Sequence, residues 1–229
     1  MPTLLINEIF YSIQGESTWA GLPCVFVRLT GCHLRCAYCD TEYAFFEGKK
    51  REISDILCEV ESISGSKCDL IEITGGEPLL QPYVHQLMRT FCDQGKTVLL
   101  ETDGACDISL CDPRVVRIMD LKTPGSGEAA RNLWDNLNHL TLRDEIKFVL
   151  CSREDYEWSR QLIREHELHR KVKAILMSAA APMKATKEIA GVAGLAMVDL
   201  AKWILEDHLP VRMQTQLHKL IWDPMAKGV

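Results

Sequence analysis

Three cysteines stand close together in Cys32-His33-Leu34-Arg35-Cys36-Ala37-Tyr38-Cys39, a C-x3-C-x2-C spacing. Thiolates hold soft metals, and three of them can bind three irons of a cubane while the fourth iron keeps no protein ligand. An open iron is useful only where a second molecule has to bind it. The competing chemistry is structural zinc, which takes four ligands; His33, between the first two cysteines, offers a fourth. The other seven cysteines are scattered: Cys24, Cys58, Cys68, Cys92, Cys106, Cys111 and Cys151. Cys106 and Cys111 lack the further ligands a second cluster needs and read as free thiols.

Two more polar segments end apolar runs. Thr74-Gly75-Gly76-Glu77-Pro78 follows Leu70-Ile71-Glu72-Ile73. Paired glycines let the backbone come close to a ligand, and the Glu77 carboxylate can accept from an ammonium group. Glu101-Thr102-Asp103-Gly104 follows Thr97-Val98-Leu99-Leu100 and, alone, reads equally well as an Asp-Gly turn.

The elements that must position these groups alternate along the chain. Strands are expected at Val25-Phe26-Val27-Arg28-Leu29, at the two runs above, at Val115-Val116-Arg117-Ile118-Met119, at Glu145-Ile146-Lys147-Phe148-Val149-Leu150, at Val172-Lys173-Ala174-Ile175-Leu176-Met177 and near Val211-Arg212-Met213-Gln214. Helical spacing of Ile53, Ile56, Leu57, Val60 and Ile63, and of Val84, Leu87, Met88 and Phe91, fills two intervals, with Gly95 as a C-cap. Further helices are expected around 132–140, 155–166 and, Ala-rich, 186–205. Alternation of this kind predicts βαβ units in a mostly parallel sheet, with the ligand site at the carboxyl ends of the strands. Thr30-Gly31, Gly75-Gly76, Asp103-Gly104, Asp120, Lys122 and Ser178 then share one rim. Six or seven core strands fit a partial barrel better than a closed eight-stranded one.

The 229 residues suit one large domain that buries its core without disulfides. A net charge of -6 argues against a surface that neutralises many phosphates, so no nucleic-acid partner is expected. The N-terminal residues lack the features of a signal peptide, and no apolar run is long enough to span a membrane. A cytoplasmic chain with reduced thiols is the expectation.

The cysteine loop, with Tyr38 just before its last cysteine, and the Gly75-Gly76-Glu77 segment after it resemble the radical S-adenosylmethionine superfamily. That resemblance implies a partial (β/α)6-type barrel and a 4Fe–4S cluster on Cys32, Cys36 and Cys39. It implies S-adenosylmethionine held by Tyr38, Cys39, Asp40, Gly76, Glu77, Thr102, Asp120, Leu121, Lys122, Met177 and Ser178. One electron from the cluster would cleave the sulfonium to give a 5'-deoxyadenosyl radical.

Four segments narrow the resemblance: Glu8-Ile9-Phe10-Tyr11-Ser12-Ile13-Gln14-Gly15-Glu16, Gly21-Leu22-Pro23-Cys24-Val25-Phe26-Val27-Arg28, Cys39-Asp40-Thr41 and Gln216-Leu217-His218-Lys219. They resemble the 7-carboxy-7-deazaguanine synthase family, lyases of queuosine and related deazapurine biosynthesis. This implies 6-carboxy-5,6,7,8-tetrahydropterin as substrate, contacted by Ile13, Gln14, Gly15, Arg28, Thr74, His218 and Pro224. It implies Mg2+ on Thr41, an electron donor such as flavodoxin, and a homodimer. Residues 1–229 are read as a single domain whose C-terminal segment, about 211–229, helps close the substrate site. Asp103 departs from the family's usual Asn, and a tail of five residues follows Pro224. The alternatives are a glycyl-radical activase, which needs an open face for a partner protein, and a non-catalytic zinc-stabilised module.

Overall fold

The computed structural model describes residues 2–65, 68–223 and 226–229. Nine strands form one sheet: β1 (Thr3–Ile13), β2 (Pro23–Leu29), β3 (Lys49–Glu52), β4 (Leu70–Gly75), β5 (Thr97–Thr102), β6 (Val116–Asp120), β7 (Glu145–Leu150), β8 (Ala174–Ala179) and β9 (Arg212–Gln214). Their spatial order is β3-β1-β2-β4-β5-β6-β7-β8-β9. From β2 to β9 every pairing is parallel, while β1 is antiparallel to both β2 and β3. Parallel strands added in chain order without reversal follow the winding of a (β/α) barrel. Among the described residues β9 and β3 do not pair, so the sheet stays open.

The sheet curls nonetheless. Laid flat, β4 and β9 would stand about 24 Å apart. Yet the short segment after β1 touches β4 through Gln14 and Glu72, β7 through Thr18 and Glu145, and β9 through Ser17 and Gln214. Five residues reach all three only if the sheet wraps around them. The expected partial barrel is therefore present.

Helices α1 (Ile53–Ser64), α2 (Val84–Asp93), α3 (Arg153–Glu165) and α4 (Met197–Glu206) fill four of the six parallel crossovers. A last short helix, α5 (His218–Ile221), lies near the C-terminus. The apolar stripe expected on α2, Val84, Leu87, Met88 and Phe91, is buried, and on α1 Ile53, Ile56 and Val60 are buried while Leu57 is half-buried and Ile63 is exposed. Gly65 closes α1 in the left-handed conformation at φ 57°. Among the described residues no helix is long and apolar enough to cross a membrane.

Two expected helices are corrected. Residues 132–140 form only a 3-10 turn, Trp134–Asn138. The amides of Asn132 and Asn136 are taken up with holding the rim loops: Asn132 bonds the Lys122 backbone, and Asn136 bonds Gly104, Cys106 and Ile108. Helix α4 starts only at Met197, and residues 180–196 are irregular, with a bridge from Met183 to Val192. Gly191 and Gly194 stand there at φ +76° and +82°, where a Cβ would run into residues 182–185. Alanine content favours helix, but it does not override two left-handed glycines.

Candidate active site

Side chains alternate across a strand, and residues paired across a parallel ladder point to the same face. The registers Arg28↔Thr74, Glu72↔Leu99, Glu101↔Ile118, Asp120↔Lys147, Val149↔Ser178 and Ser178↔Gln214 therefore set Arg28, Thr74, Glu72, Glu101, Asp120, Lys147, Ser178 and Gln214 on one face. That face lines the inside of the curl.

The cysteine loop leaves the carboxyl end of β2. Cys32, Cys36 and Cys39 are half-buried free thiols. Burial pushes all three up, Cys32 to about 11 and Cys39 to about 12, so the metal-free thiols hold their protons at neutral pH. Gly76 lies against the loop so closely that a Cβ would come within 2.2 Å of the Gly31 carbonyl oxygen and 2.8 Å of Cys32 Cβ. Glu77 is fully buried: Oε2 accepts from Thr102 Oγ1 (3.0 Å) and the Asp103 amide (2.6 Å), and Oε1 accepts from the Leu79 amide (2.8 Å). Burial, then neighbouring Asp103, holds its carboxyl well above the usual range. A bound ammonium group would relieve both effects.

On the other side of the rim, Lys122 Nζ donates to Asp120 Oδ2 at 2.8 Å and lies over the Tyr38 ring. Asp120 Oδ1, the Tyr38 hydroxyl and Ser178 Oγ are all buried without a hydrogen-bond partner among the described residues. Buried polar atoms are rarely left so. Three orphans at one rim are what a cradle for a polar ligand such as an adenosyl group requires, so these residues fit S-adenosylmethionine. Leu121 and Met177 turn their side chains into the apolar core and can offer only backbone atoms.

Below the rim lies a charged cluster that the sequence reading missed. Lys147 donates to Glu101 at 2.7 Å and Glu16 at 3.2 Å, and Gln14 donates to Glu72. Burial, then Glu101 and Glu16, pushes Glu72 well up. Burial also raises Glu101, to about 7, against the pull of Lys147. The signal was in the strands: Glu72 between two isoleucines and Lys147 between Ile146 and Phe148 interrupt runs buried on both faces, so each must find a partner inside the curl.

The C-terminal segment docks on Gly15, Glu16 and Asp40. Leu217 donates its amide to the Gly15 carbonyl at 3.0 Å. Gln216 donates to Glu16 at 2.9 Å and Asp40 at 3.1 Å, and Lys219 donates to Asp40 at 2.6 Å. Burial would raise Asp40, but the Lys219 charge and these hydrogen bonds outweigh it and hold the carboxyl well below its usual range. His218 packs on Gly15, where a Cβ would meet its Nδ1 at 2.7 Å, and burial lowers its pKa. Thr41 donates to Asp40 at 2.9 Å. Arg28 pairs with Glu8 at 2.7 Å, and Tyr43 donates to the same carboxylate. Ile13 ends β1 next to Gln14. Pro224 lies outside the described residues. His33, considered as the fourth ligand of a zinc held by the three loop cysteines, faces Asp103 at 3.0 Å.

An open parallel barrel with a three-cysteine loop and a Gly-Gly-Glu turn at its rim defines a radical S-adenosylmethionine protein, and the Radical SAM superfamily model matches residues 26–120. The chain is 44% identical to the 7-carboxy-7-deazaguanine synthase of Koribacter versatilis over 98% of its own length and 99% of the relative's. It is 43% identical to that of Chlorobaculum tepidum, covering 99% and 97%. The chain belongs to the 7-carboxy-7-deazaguanine synthase family. Its fold matches the crystal structure of QueE from Escherichia coli with a TM-score of 0.69 at 21% identity, over 93% of this chain and 94% of that one. It also matches SuiB from Streptococcus suis, with a TM-score of 0.58 at 13% identity, over 81% and 47%.

Proposed function

We propose that this chain is a lyase that converts 6-carboxy-5,6,7,8-tetrahydropterin to 7-carboxy-7-deazaguanine with loss of ammonia. The observation that carries this reading is the meeting of three sequence-distant segments at one place, Gly15 and Glu16, Asp40 and Thr41, and Gln216 to Lys219, with the Arg28 charge close enough to act on His218. These are the segments that set the family apart within its superfamily; Asp40 directly follows the last cysteine of the loop, and Glu16 joins the charged cluster through Lys147. A small carboxylated substrate fits a site closed in this way; an activase that must admit a partner protein's backbone does not.

Cys32, Cys36 and Cys39 would hold the 4Fe–4S cluster. With S-adenosylmethionine bound, the cluster would supply the one-electron chemistry that starts a radical reaction. The chain's own residues bind and orient. Arg28 offers a planar fork to the substrate carboxylate, Gln14 and Thr74 can donate and accept at the pterin edge, and His218 covers it from the C-terminal side. The Thr41 hydroxyl, hydrogen-bonded to Asp40, would hold Mg2+, which would supply positive charge for the same carboxylate. Residues 1–229 act as one domain closed by the segment from 211. The chain works in the cytoplasm as a homodimer, with a flavodoxin-type protein as electron donor.

The test compares 6-carboxytetrahydropterin with tetrahydropterin lacking the carboxylate. Cleavage of S-adenosylmethionine coupled to pterin turnover is expected only with the first, and Arg28→Gln should raise KM for it at least tenfold, as loss of a charge-assisted pair of hydrogen bonds predicts. Equal turnover of both pterins would refute the substrate assignment.

A further inference from the structure

We propose that His33, Asp103 and Cys106 form a second metal site, for a divalent transition ion of the zinc class, beside the iron–sulfur loop and separate from it. A nitrogen of His33, a carboxylate oxygen of Asp103 and the sulfur of Cys106 all lie within 4.8 Å of one another. The ligand atoms of a tetrahedral zinc stand roughly 3.3–3.8 Å apart, so a small contraction of side chains completes three of its four positions. His33 Nε2 and Asp103 Oδ2 are already 3.0 Å apart.

The ligands come from two loops that the fold holds in place. His33 follows β2, and Asp103 and Cys106 follow β5. The Asp103 carboxylate is fixed at its other oxygen by the Ala105 amide at 2.9 Å, and its own amide is tied to Glu77. The Cys106 carbonyl accepts from Asn136 at 2.8 Å. Such outer contacts orient a ligand before the ion arrives. A nitrogen, oxygen and sulfur set selects zinc, cobalt or ferrous iron over magnesium. None of the three residues is needed for the three-cysteine cluster. The ion would clamp the cluster loop to the β5 loop, and this holds whatever the substrate proves to be.

The iron-loaded full chain is dialysed against zinc chloride with magnesium in excess. Zinc and iron are then measured, and the zinc X-ray absorption edge is recorded. One zinc per chain with no loss of iron is expected, with a single sulfur neighbour at about 2.3 Å and the rest nitrogen or oxygen. Cys106→Ser and Asp103→Asn should each weaken zinc binding at least about tenfold at unchanged iron content. Zinc that displaces iron, a site with three or more sulfurs, or unchanged affinity in both variants overturns the proposal. If either variant fails to load iron, the sulfur count in the unaltered chain decides alone.

Discussion

The two ends of β6 carry buried charges three residues apart, and they are treated in opposite ways. At the start of the strand, Arg117 donates to both oxygens of Asp144, at 3.0 and 2.6 Å, and to the His139 carbonyl at 2.8 Å. Asp144 also accepts from the Arg117 amide and from the amide and hydroxyl of Thr141. At the far end, Asp120 has one oxygen on Lys122 and, among the described residues, no partner for the other, as with the Tyr38 and Ser178 hydroxyls at the same rim. A saturated pair serves the fold, because every desolvated group has been repaid with hydrogen bonds. Unsaturated groups at the carboxyl ends of the strands serve a ligand. Ion pairing alone does not separate the two ends; both have it. Spare hydrogen-bonding capacity does.

That contrast can be broken from either end. The largest effect is expected at the rim. Cys36→Ala should lose its iron–sulfur spectrum, and reductive cleavage of S-adenosylmethionine should fall to background, while the unfolding free energy of the metal-free chain stays within about 1 kcal/mol of the parent. At the other end, Asp144→Ala strands the Arg117 guanidinium and should cost about 3–5 kcal/mol in urea unfolding. Such protein as remains folded in the cold should bind S-adenosylmethionine with unchanged affinity.

Two smaller effects sharpen the comparison. Glu101 takes up a proton in the folded chain at about pH 7 against an ordinary value of 4.5. Between these values the native state holds a proton that the unfolded chain has released. Stability should therefore fall as pH rises through this window, by up to about 1.4 kcal/mol per pH unit, and Glu101→Gln should flatten that part of the profile. Denaturant midpoints at half-unit pH steps would show it. The smallest change is expected for Tyr38→Phe and Ser178→Ala. Deleting a hydroxyl with no partner should leave metal-free stability within about 0.5 kcal/mol. The dissociation constant for S-adenosylmethionine, read by calorimetry on cluster-loaded protein, should rise about two- to tenfold, the worth of one hydrogen bond.

The rim was legible in the sequence because its chemistry is carried by rare residues at fixed spacing just after strands: the three cysteines, Gly75-Gly76-Glu77 and Thr102-Asp103. The parallel strands were legible because their apolar runs are short and end at turn residues. β1 was not anticipated. It is an eleven-residue strand with a register shift between Ile6 and Glu8, and its burial does not follow a simple alternation. The charged cluster was missed for a different reason. Glu16, Glu72, Glu101 and Lys147 lie far apart in sequence and meet only because the sheet curls. Docking of Gln216 and Lys219 on Glu16 and Asp40 likewise depends on a tertiary contact across some 180 to 200 residues, which spacing does not encode.

The most direct test of the account is a product assay. Anaerobically reconstituted chain is incubated with dithionite, S-adenosylmethionine, magnesium and 6-carboxytetrahydropterin, and the products are followed by mass spectrometry, with Cys36→Ala as control. The account predicts a product lighter than the pterin by one ammonia, formed by the parent and not by the variant. Cleavage of S-adenosylmethionine with the pterin recovered intact would contradict it.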